Sequence, residues 1–352
     1  MNRVRIVDLP GLDVGPAVKG KSAYDLLAAG ALAQLIRSQA QALRVEPDTP
    51  DLIRAFDGCF AASDGRVRAA ANEIAAQYGR YLGYLLLTLK RGDAANRTAR
   101  PDWDERHWVY WATVNAVWLG GGLAAGNLGR QMLPHAQAIL AQNGYPQYRL
   151  NLSLYPGVLP LLGAARYAPA EASVALLFDF GHSRIKRAYG YYEQGTLTAV
   201  RRLPGLDSPC LDFYVAGEEA PPAVLKQQAA AMVELIATAW REAKRITGVE
   251  LPVMASLACY MHDGHPYPND AGCYDRLQQL GDNLQAFLAR RLSEKLNRPI
   301  NLCIIHDGTA AAAVYAGAEQ TAVLTLGTAM GIGFPPPAAG LRPLATPIKV
   351  VA

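Results

Sequence analysis

Apolar residues recur at helical spacing along Ser22–Ala42 and again along Arg66–Lys90, where Ala, Leu and Tyr return every three or four positions. Asp64 and Gly65 open the second of these helices. A polar, proline-bearing loop, Arg91–His107, follows it. The aromatic stretch from Trp108 reads as buried strand, and Val114–Leu119 as a strand that runs into Gly120-Gly121-Gly122, with a helix from about Leu128 to Gln142 after it. Tyr155–Ala170 reads as a short helix at a boundary. Beyond Ser173 the pattern turns to strands at Val174–Asp179, Ile185–Glu193 and Leu197–Leu203. There follow a helix Ala223–Ile246, a strand Leu251–Leu257, a loop Met261–Tyr274 and a helix Leu277–Leu296. The strand Ile300–Ile305, a helix opened by Asp307-Gly308-Thr309 and the strand Ala322–Leu326 complete the series. This alternation predicts an α/β fold in two lobes divided near residue 170.

Composition narrows the picture. The chain of 352 residues is long enough for two domains with cores of their own, and 51% hydrophobic with 18% charged residues describes a globular protein. A dispersed net charge of +4, without a Lys/Arg-rich block, gives no electrostatic footprint for nucleic acid. Five cysteines (Cys59, Cys210, Cys259, Cys273, Cys303) lie scattered and without close pairs. That spacing predicts buried thiols in a reducing compartment rather than a disulfide framework or a zinc site. The N-terminus has no positive-then-apolar leader pattern, so the cytoplasm is the expected location. Trp108–Gly126 is uncharged and nearly long enough to span a bilayer, but Asn115 and the glycine triplet interrupt it, and no membrane partner is expected.

Four segments carry candidate chemistry. The apolar run Val174–Phe178 delivers Asp179 into the turn Gly181-His182-Ser183, with Arg184-Ile185-Lys186 beyond. The glycine lets backbone N–H groups approach an anion, the carboxylate can hold a metal, and Ser183 and Lys186 can reach phosphate oxygens. The same residues also suit a plain hairpin turn. Gly327-Thr328-Ala329-Met330-Gly331-Ile332-Gly333, after Val323–Leu326, suits a second phosphate-facing turn or an ordinary glycine-rich β-turn. In His306-Asp307-Gly308-Thr309-Ala310 a carboxylate stands at a strand end, where it could accept a substrate proton or simply cap a helix. In Val117–Gly122, bare backbone could lie against an adenine ring and the following helix N-terminus could favour phosphate; the alternative is a strand–helix turn.

Taken together, these segments resemble the ROK family (repressor, open reading frame, kinase), the sugar kinase branch of the actin, hexokinase and heat-shock ATPase superfamily. The likeness extends from about Ser22 to Phe334. In that family the phosphate turn opens the chain and the adenine segment and a Gly-Ala-Ala helix come late; here Gly120–Gly122 and Leu162-Gly163-Ala164-Ala165 come first. The resemblance therefore implies a circularly permuted α/β protein of two ribonuclease-H-like (actin-like ATPase) lobes with a central cleft. The helix-rich adenosine-binding second lobe (1–168) would precede the first lobe (169–352), with the last strand free to return to the other lobe. Met1–Asp8 and Pro347–Val351 would be strand-like ends meeting in the second lobe's sheet, the old termini being joined through Tyr167–Ala172.

The resemblance also implies ATP and Mg²⁺ as cofactors and a sugar as substrate. Asp179, Gly181, His182, Ser183 and Lys186 would surround the β- and γ-phosphates, with Asp179 on the Mg²⁺ directly or through water. Gly327, Thr328 and Gly331 would form the opposing turn, and Gly121 and Gly122 would lie beside the adenosine. Asp307 would be the general base, and Asn269, Asp270 and His306 would stand near the sugar; a homodimer is left open. Departures bear mainly on the sugar: His306 stands where the family has Asn, Ala329 replaces a glycine, and the family's Cys-rich zinc loop and Glu-x-Gly-His clamp are missing.

Two function classes follow, an ATP-dependent carbohydrate kinase and a non-catalytic nucleotide- or sugar-binding sensor of the same fold. A third, a P-loop NTPase using Gly15–Ser22, matches GxxxxGKS, yet Leu9–Val14 is no buried strand and Pro16 removes an N–H from the loop. His262, Asp263 and His265 read as solvated loop residues or as the rim of a sugar pocket rather than as metal ligands.

Overall fold

The computed structural model describes residues 1–213, 220–267, 272–281 and 283–351. The fold is mixed α/β, in two compact units: Met1–Gly157 with Glu319–Ile332, and Val158–Ala318 with Gly333–Ala352. The chain thus passes between units after residues 157, 318 and 332. No described helix is long and apolar enough to cross a membrane.

In the first unit, the helical stretch expected over Ser22–Ala42 breaks into α1 (Ala23–Leu27), α2 (Ala29–Ser38) and α3 (Ala40–Leu43). Ser22 and Asp25 form a reciprocal capping box at the start of α1, and extended backbone at Ala28 ends it. After α4 (Leu52–Cys59) comes α5 (Gly65–Arg91), capped by Asp64 and terminated by left-handed Gly92. The segment expected as a loop holds α6 (Ala94–Thr98) and the start of α7 (Glu105–Thr113). The aromatic stretch read as strand is therefore helix. Asp104 and His107 cap it reciprocally, and Trp108 and Trp111, three residues apart, are buried while Val109 and Tyr110 face out, a helical rather than an alternating period. β1 (Ala116–Gly120), α8 (Asn127–Gln142) and β2 (Arg149–Leu152) follow. Gly79 and Gly83 on α5 let α8 come close: a Cβ at Gly79 would lie 2.2 Å from the Met132 carbonyl oxygen.

The second unit opens with α9 (Leu159–Ala165) and the antiparallel strands β3 (Val174–Phe180), β4 (Arg184–Glu193) and β5 (Thr196–Asp207). Next come α10 (Cys210–Phe213), the long helix α11 (Pro222–Thr247), β6 (Val253–Leu257) and a small hairpin of β7 (Met261–His262) and β8 (His265–Pro266). A 3₁₀ turn (Asp275–Leu280) takes the first part of the helix expected from Leu277, so α12 (Leu284–Leu296) starts at the Asn283 cap; β9 (Leu302–His306) and α13 (Asp307–Ala313) follow. β10 (Thr321–Leu326) and most of β11 (Met330–Gly333) return to the first unit, and β12 (Leu344–Val351) ends the chain in the second.

The first unit's sheet runs β11-β10-β1-β2, with β1 parallel to both β10 and β2. The second's runs β12-β5-β4-β3-β6-β9, with β6 and β9 parallel to the β3 side and β12 parallel to β5. Met1–Asp8 makes only an isolated bridge, Arg5 to Ser22, in the first unit. The two termini therefore do not meet in one sheet as expected. The buried faces of β3, β6 and β9 pack on α11 and α12 through Phe178, Val253, Ile304, Ile236, Trp240 and Leu288. α9 and α13, both rich in Ala and Gly, press backbone to backbone: a Cβ at Gly163 would lie 1.5 Å from the Ala310 carbonyl oxygen.

Candidate functional site

The second unit's sheet brings Asp179, Ser256 and Lys186 together by register alone, since Asp179 pairs with Lys186 across β3–β4 and with Ser256 across β3–β6. Lys186 Nζ donates to Asp179 Oδ2 at 3.1 Å and Ser256 Oγ to Oδ1 at 2.9 Å, so each carboxylate oxygen of this buried residue has its own donor. Ser256 carried no sequence signal. It matters only because β6 lies beside β3, and a single serine in an apolar strand does not announce that.

Asp307 begins α13 where β9 ends, and its Oδ1 accepts from the Gly308 N–H at 2.6 Å. His306 adjoins it: Thr309 N–H donates to His306 Nδ1 at 3.2 Å, while Nε2 lies 3.1 Å from Asp307 Oδ1. An Nδ1 that accepts leaves the ring proton on Nε2, aimed at the carboxylate. Burial pulls the imidazole down to about 4, so it is neutral at pH 7. Burial, and after it the negative charge of Asp179, pushes Asp307 up to about 7. The site thus holds one carboxylate tied to a lysine and a second whose proton is exchangeable at neutral pH, a pairing suited to proton transfer beside an anion.

The turn between β3 and β4 is tight. Gly181 N–H donates to Asp179 and Arg184 carbonyls at 3.2 and 3.1 Å, and a Cβ at Gly181 would sit 2.8 Å from the Arg184 oxygen. His182 turns toward the protein, its ring stacked on Tyr274 with centroids 6.3 Å apart, and burial lowers its pKa. Cys210 and Cys273 form a disulfide beside this turn. This corrects the expectation of thiols only; 63 residues of intervening sequence hid the pair. Cys59, Cys259 and Cys303 are free. Burial, followed by the charges of Asp275 and Asp307, holds the Cys259 thiol well above its usual range, which makes it unreactive.

The first unit brings the other glycine segments together. Gly121, at φ 88°, donates its N–H to the Pro156 carbonyl at 2.8 Å, and a Cβ on it would lie 2.3 Å from the Leu326 oxygen. Leu123 N–H donates to that same Leu326 oxygen, and Ala29 N–H donates to Gly327. Gly122 faces open space. Thr328 follows Gly327 out of β10, and Gly331 lies in β11. The helix N-terminus after the triplet is not available to phosphate, contrary to expectation. Asp57, from α4, reaches it: its Oδ1 accepts the Leu128 N–H at 3.1 Å, and Asn127 donates to Oδ2 at 3.2 Å. A carboxylate already occupies the position that an anion would take, and like charge opposes a second one.

Asn269 and Asp270 lie outside the described residues. The Gly15–Ser22 segment spends its polar groups internally: Val18 and Lys19 donate to the Gly15 carbonyl, Gly20 donates to Ile6, and the Ser22 hydroxyl caps a helix of only five residues. That leaves little of a phosphate loop. His262 and Asp263 pair at 3.5 Å on the exposed hairpin, and among the described residues no group of three or more His, Cys, Asp or Glu side chains is arranged to hold a metal. No family model matches the chain, and no curated protein is significantly similar to it.

Proposed function

We propose that the protein is an ATP-dependent kinase that transfers a phosphoryl group to a sugar hydroxyl, built on a permuted pair of ribonuclease-H-like lobes and acting in the cytoplasm. The strand order supports the lobe assignment. Three antiparallel strands, β3 to β5, are followed by β6 and β9 in parallel on the β3 side, with a glycine turn between the first two and a small-residue helix after the last. The observation that carries the reading is Asp307: a carboxylate at a strand end, next to the Asp179–Lys186 pair, that titrates at about 7.

In this reading the attacking hydroxyl gives its proton to Asp307 as its oxygen bonds to the γ-phosphorus and ADP departs. The neutral His306 donates to Asp307 Oδ1 and holds the carboxylate in place. Lys186 would face the phosphates beside the turn, whose Gly181 N–H is held by the Asp179 and Arg184 carbonyls, while Gly121, Gly122, Gly327 and Thr328 stay the nucleotide residues that the family resemblance implies. Asp179 offers a hard oxygen donor of the kind that holds Mg²⁺ together with substrate phosphates, and the ion would supply charge neutralisation there.

The test is a coupled ADP-release screen over hexoses, amino sugars and their N-acetyl forms, with Asp307→Asn beside the native chain. Sugar-dependent turnover lost in Asp307→Asn is the expected result. ATP binding without turnover on any sugar would replace the kinase with a sensor.

A further inference from the structure

The Cys210–Cys273 disulfide is joined to the Gly181–Ser183 turn by a short relay of hydrogen bonds. Cys210 N–H donates to Ser208 Oγ at 3.3 Å, and Ser208 Oγ and Tyr274 Oη lie 2.8 Å apart. Tyr274 Oη donates to the Gly181 carbonyl at 3.2 Å. With that proton spent on Gly181, the bond between the two hydroxyls must run from Ser208 to Tyr274. The far end of the turn is held from the same place, since Ser208 N–H donates to the Ser183 carbonyl at 3.2 Å. The Tyr274 ring stacks on His182 in between. Both ends of the turn and its central side chain therefore rest on residues within two positions of a bonded cysteine. The segments that carry them come from separate parts of the chain, and the disulfide is the covalent tie between them.

We infer that this disulfide is a redox-controlled clasp on the Gly181–Ser183 turn, closed when oxidised and released by a dithiol reductant. In the release, a thiolate of the dithiol attacks one cysteine sulfur and the S–S bond breaks to a mixed disulfide. The other cysteine leaves as a thiolate in that step, and the second thiol of the reductant then attacks the mixed disulfide and displaces the cysteine held in it. Two electrons and two protons pass to Cys210 and Cys273, and the reductant leaves as its own cyclic disulfide. In a reducing compartment, the disulfides that do occur are mostly transient and redox-sensing or catalytic. Both cysteines are covered, at 4% and 1% exposure, so attack waits on local opening of the two segments and the clasp responds at that rate.

The order of the turn does not depend on the kinase reading; only the effect on nucleotide affinity rests on it. Hydrogen exchange read by mass spectrometry compares the oxidised protein with protein equilibrated in dithiothreitol, its thiols counted by alkylation. Peptides covering residues 181–183 should exchange about tenfold faster after reduction, while peptides from α5, in the other unit, stay unchanged. Unchanged exchange at 181–183 in protein whose disulfide is demonstrably reduced would overturn the inference, as would air-exposed native protein carrying five free thiols. Tyr274→Phe guards against global unfolding on reduction: with the disulfide intact it should raise exchange at 181–183 alone, and full protection there sinks the relay. ATP affinity, measured alongside, should fall on reduction. Faster exchange without ATP binding in either state would keep the clasp and remove the kinase.

Discussion

The two glycine turns proposed to bind phosphate are built in opposite ways. In the first unit, Gly121 and the Leu326–Gly327 turn lie backbone against backbone, and their shape comes from the absence of side chains. In the second, the turn at Gly181 is flanked by Asp179, Lys186 and, from β9–α13, Asp307, so its character comes from charge. The difference predicts how each fails. A methyl group added in the first unit damages packing, whereas the Asp307 charge removed in the second damages chemistry and spares the fold.

The largest effect falls on Asp307. Asp307→Asn should lower kcat about a thousandfold, within the usual worth of a general base, and steady-state kinetics on the sugar found by the screen would measure it. In the native chain kcat/KM should rise with pH through about 7, as the base loses its proton. Stability should move the other way. An ordinary aspartate ionises near 3.8 and Asp307 at about 7, so between those values the folded protein holds a proton that the unfolded chain gives up. The ionised carboxylate then costs stability above pH 7 and nothing below about pH 4. Asp307→Asn should accordingly melt higher than native protein at pH 8 and equally at pH 4. His306 has the reverse sign, because the unfolded chain takes up a proton near 6.5 that the folded one refuses until about 4. Removing Asp307 should therefore expose a stability that rises with pH between 4 and 6.5. A flat profile there, or a catalytically competent Asp307→Asn, would erase the charged half of the contrast.

The packed half is tested by two adjacent glycines. Gly121→Ala forces a side chain into left-handed backbone and onto the Leu326 carbonyl, and urea unfolding should show a loss of about 2–3 kcal/mol. Gly122→Ala meets nothing within 4 Å and should leave stability within about 0.5 kcal/mol while weakening ATP binding. Equal stability losses at the two positions would mean that the triplet is a uniform turn, with no exposed platform at Gly122.

What the sequence reveals of this molecule depends on how local the signal is. The α/β alternation, the β3–β5 meander and α11 are readable because period and turn residues lie within one segment. Long-range features leave no such trace. Asp57 caps α8 from 70 residues away, Cys210 finds Cys273 across 63, and β10 and β11 join a sheet begun by β1 some 200 residues earlier. The aromatic stretch at α7 misleads because its bulky, strand-favouring residues outweigh, on inspection, a capping box that only the structure makes plain. Of the candidate site, Asp179, Lys186 and Asp307 stand in strands or a helix start beside recognisable glycine segments, whereas Ser256 is set by sheet order alone.

That hidden serine carries a smaller predicted effect than Gly121 and the finest test of the contrast. Ser256→Ala strips the donor from Asp179 Oδ1 inside the sheet, while Oδ2 keeps Lys186. The buried oxygen left without its donor should cost about 1–2 kcal/mol in urea unfolding. ATP affinity should hardly change, since in the proposed function the phosphates meet the carboxylate on its Lys186 side, where the lysine side chain is 39% exposed. Lys186→Met should weaken ATP binding and also lower stability, since it strips the charged donor from Oδ2 of the buried carboxylate. If Ser256→Ala instead weakened ATP and left stability untouched, the roles of the two oxygens would be exchanged. The charged turn would then depend on packing as much as its glycine counterpart does.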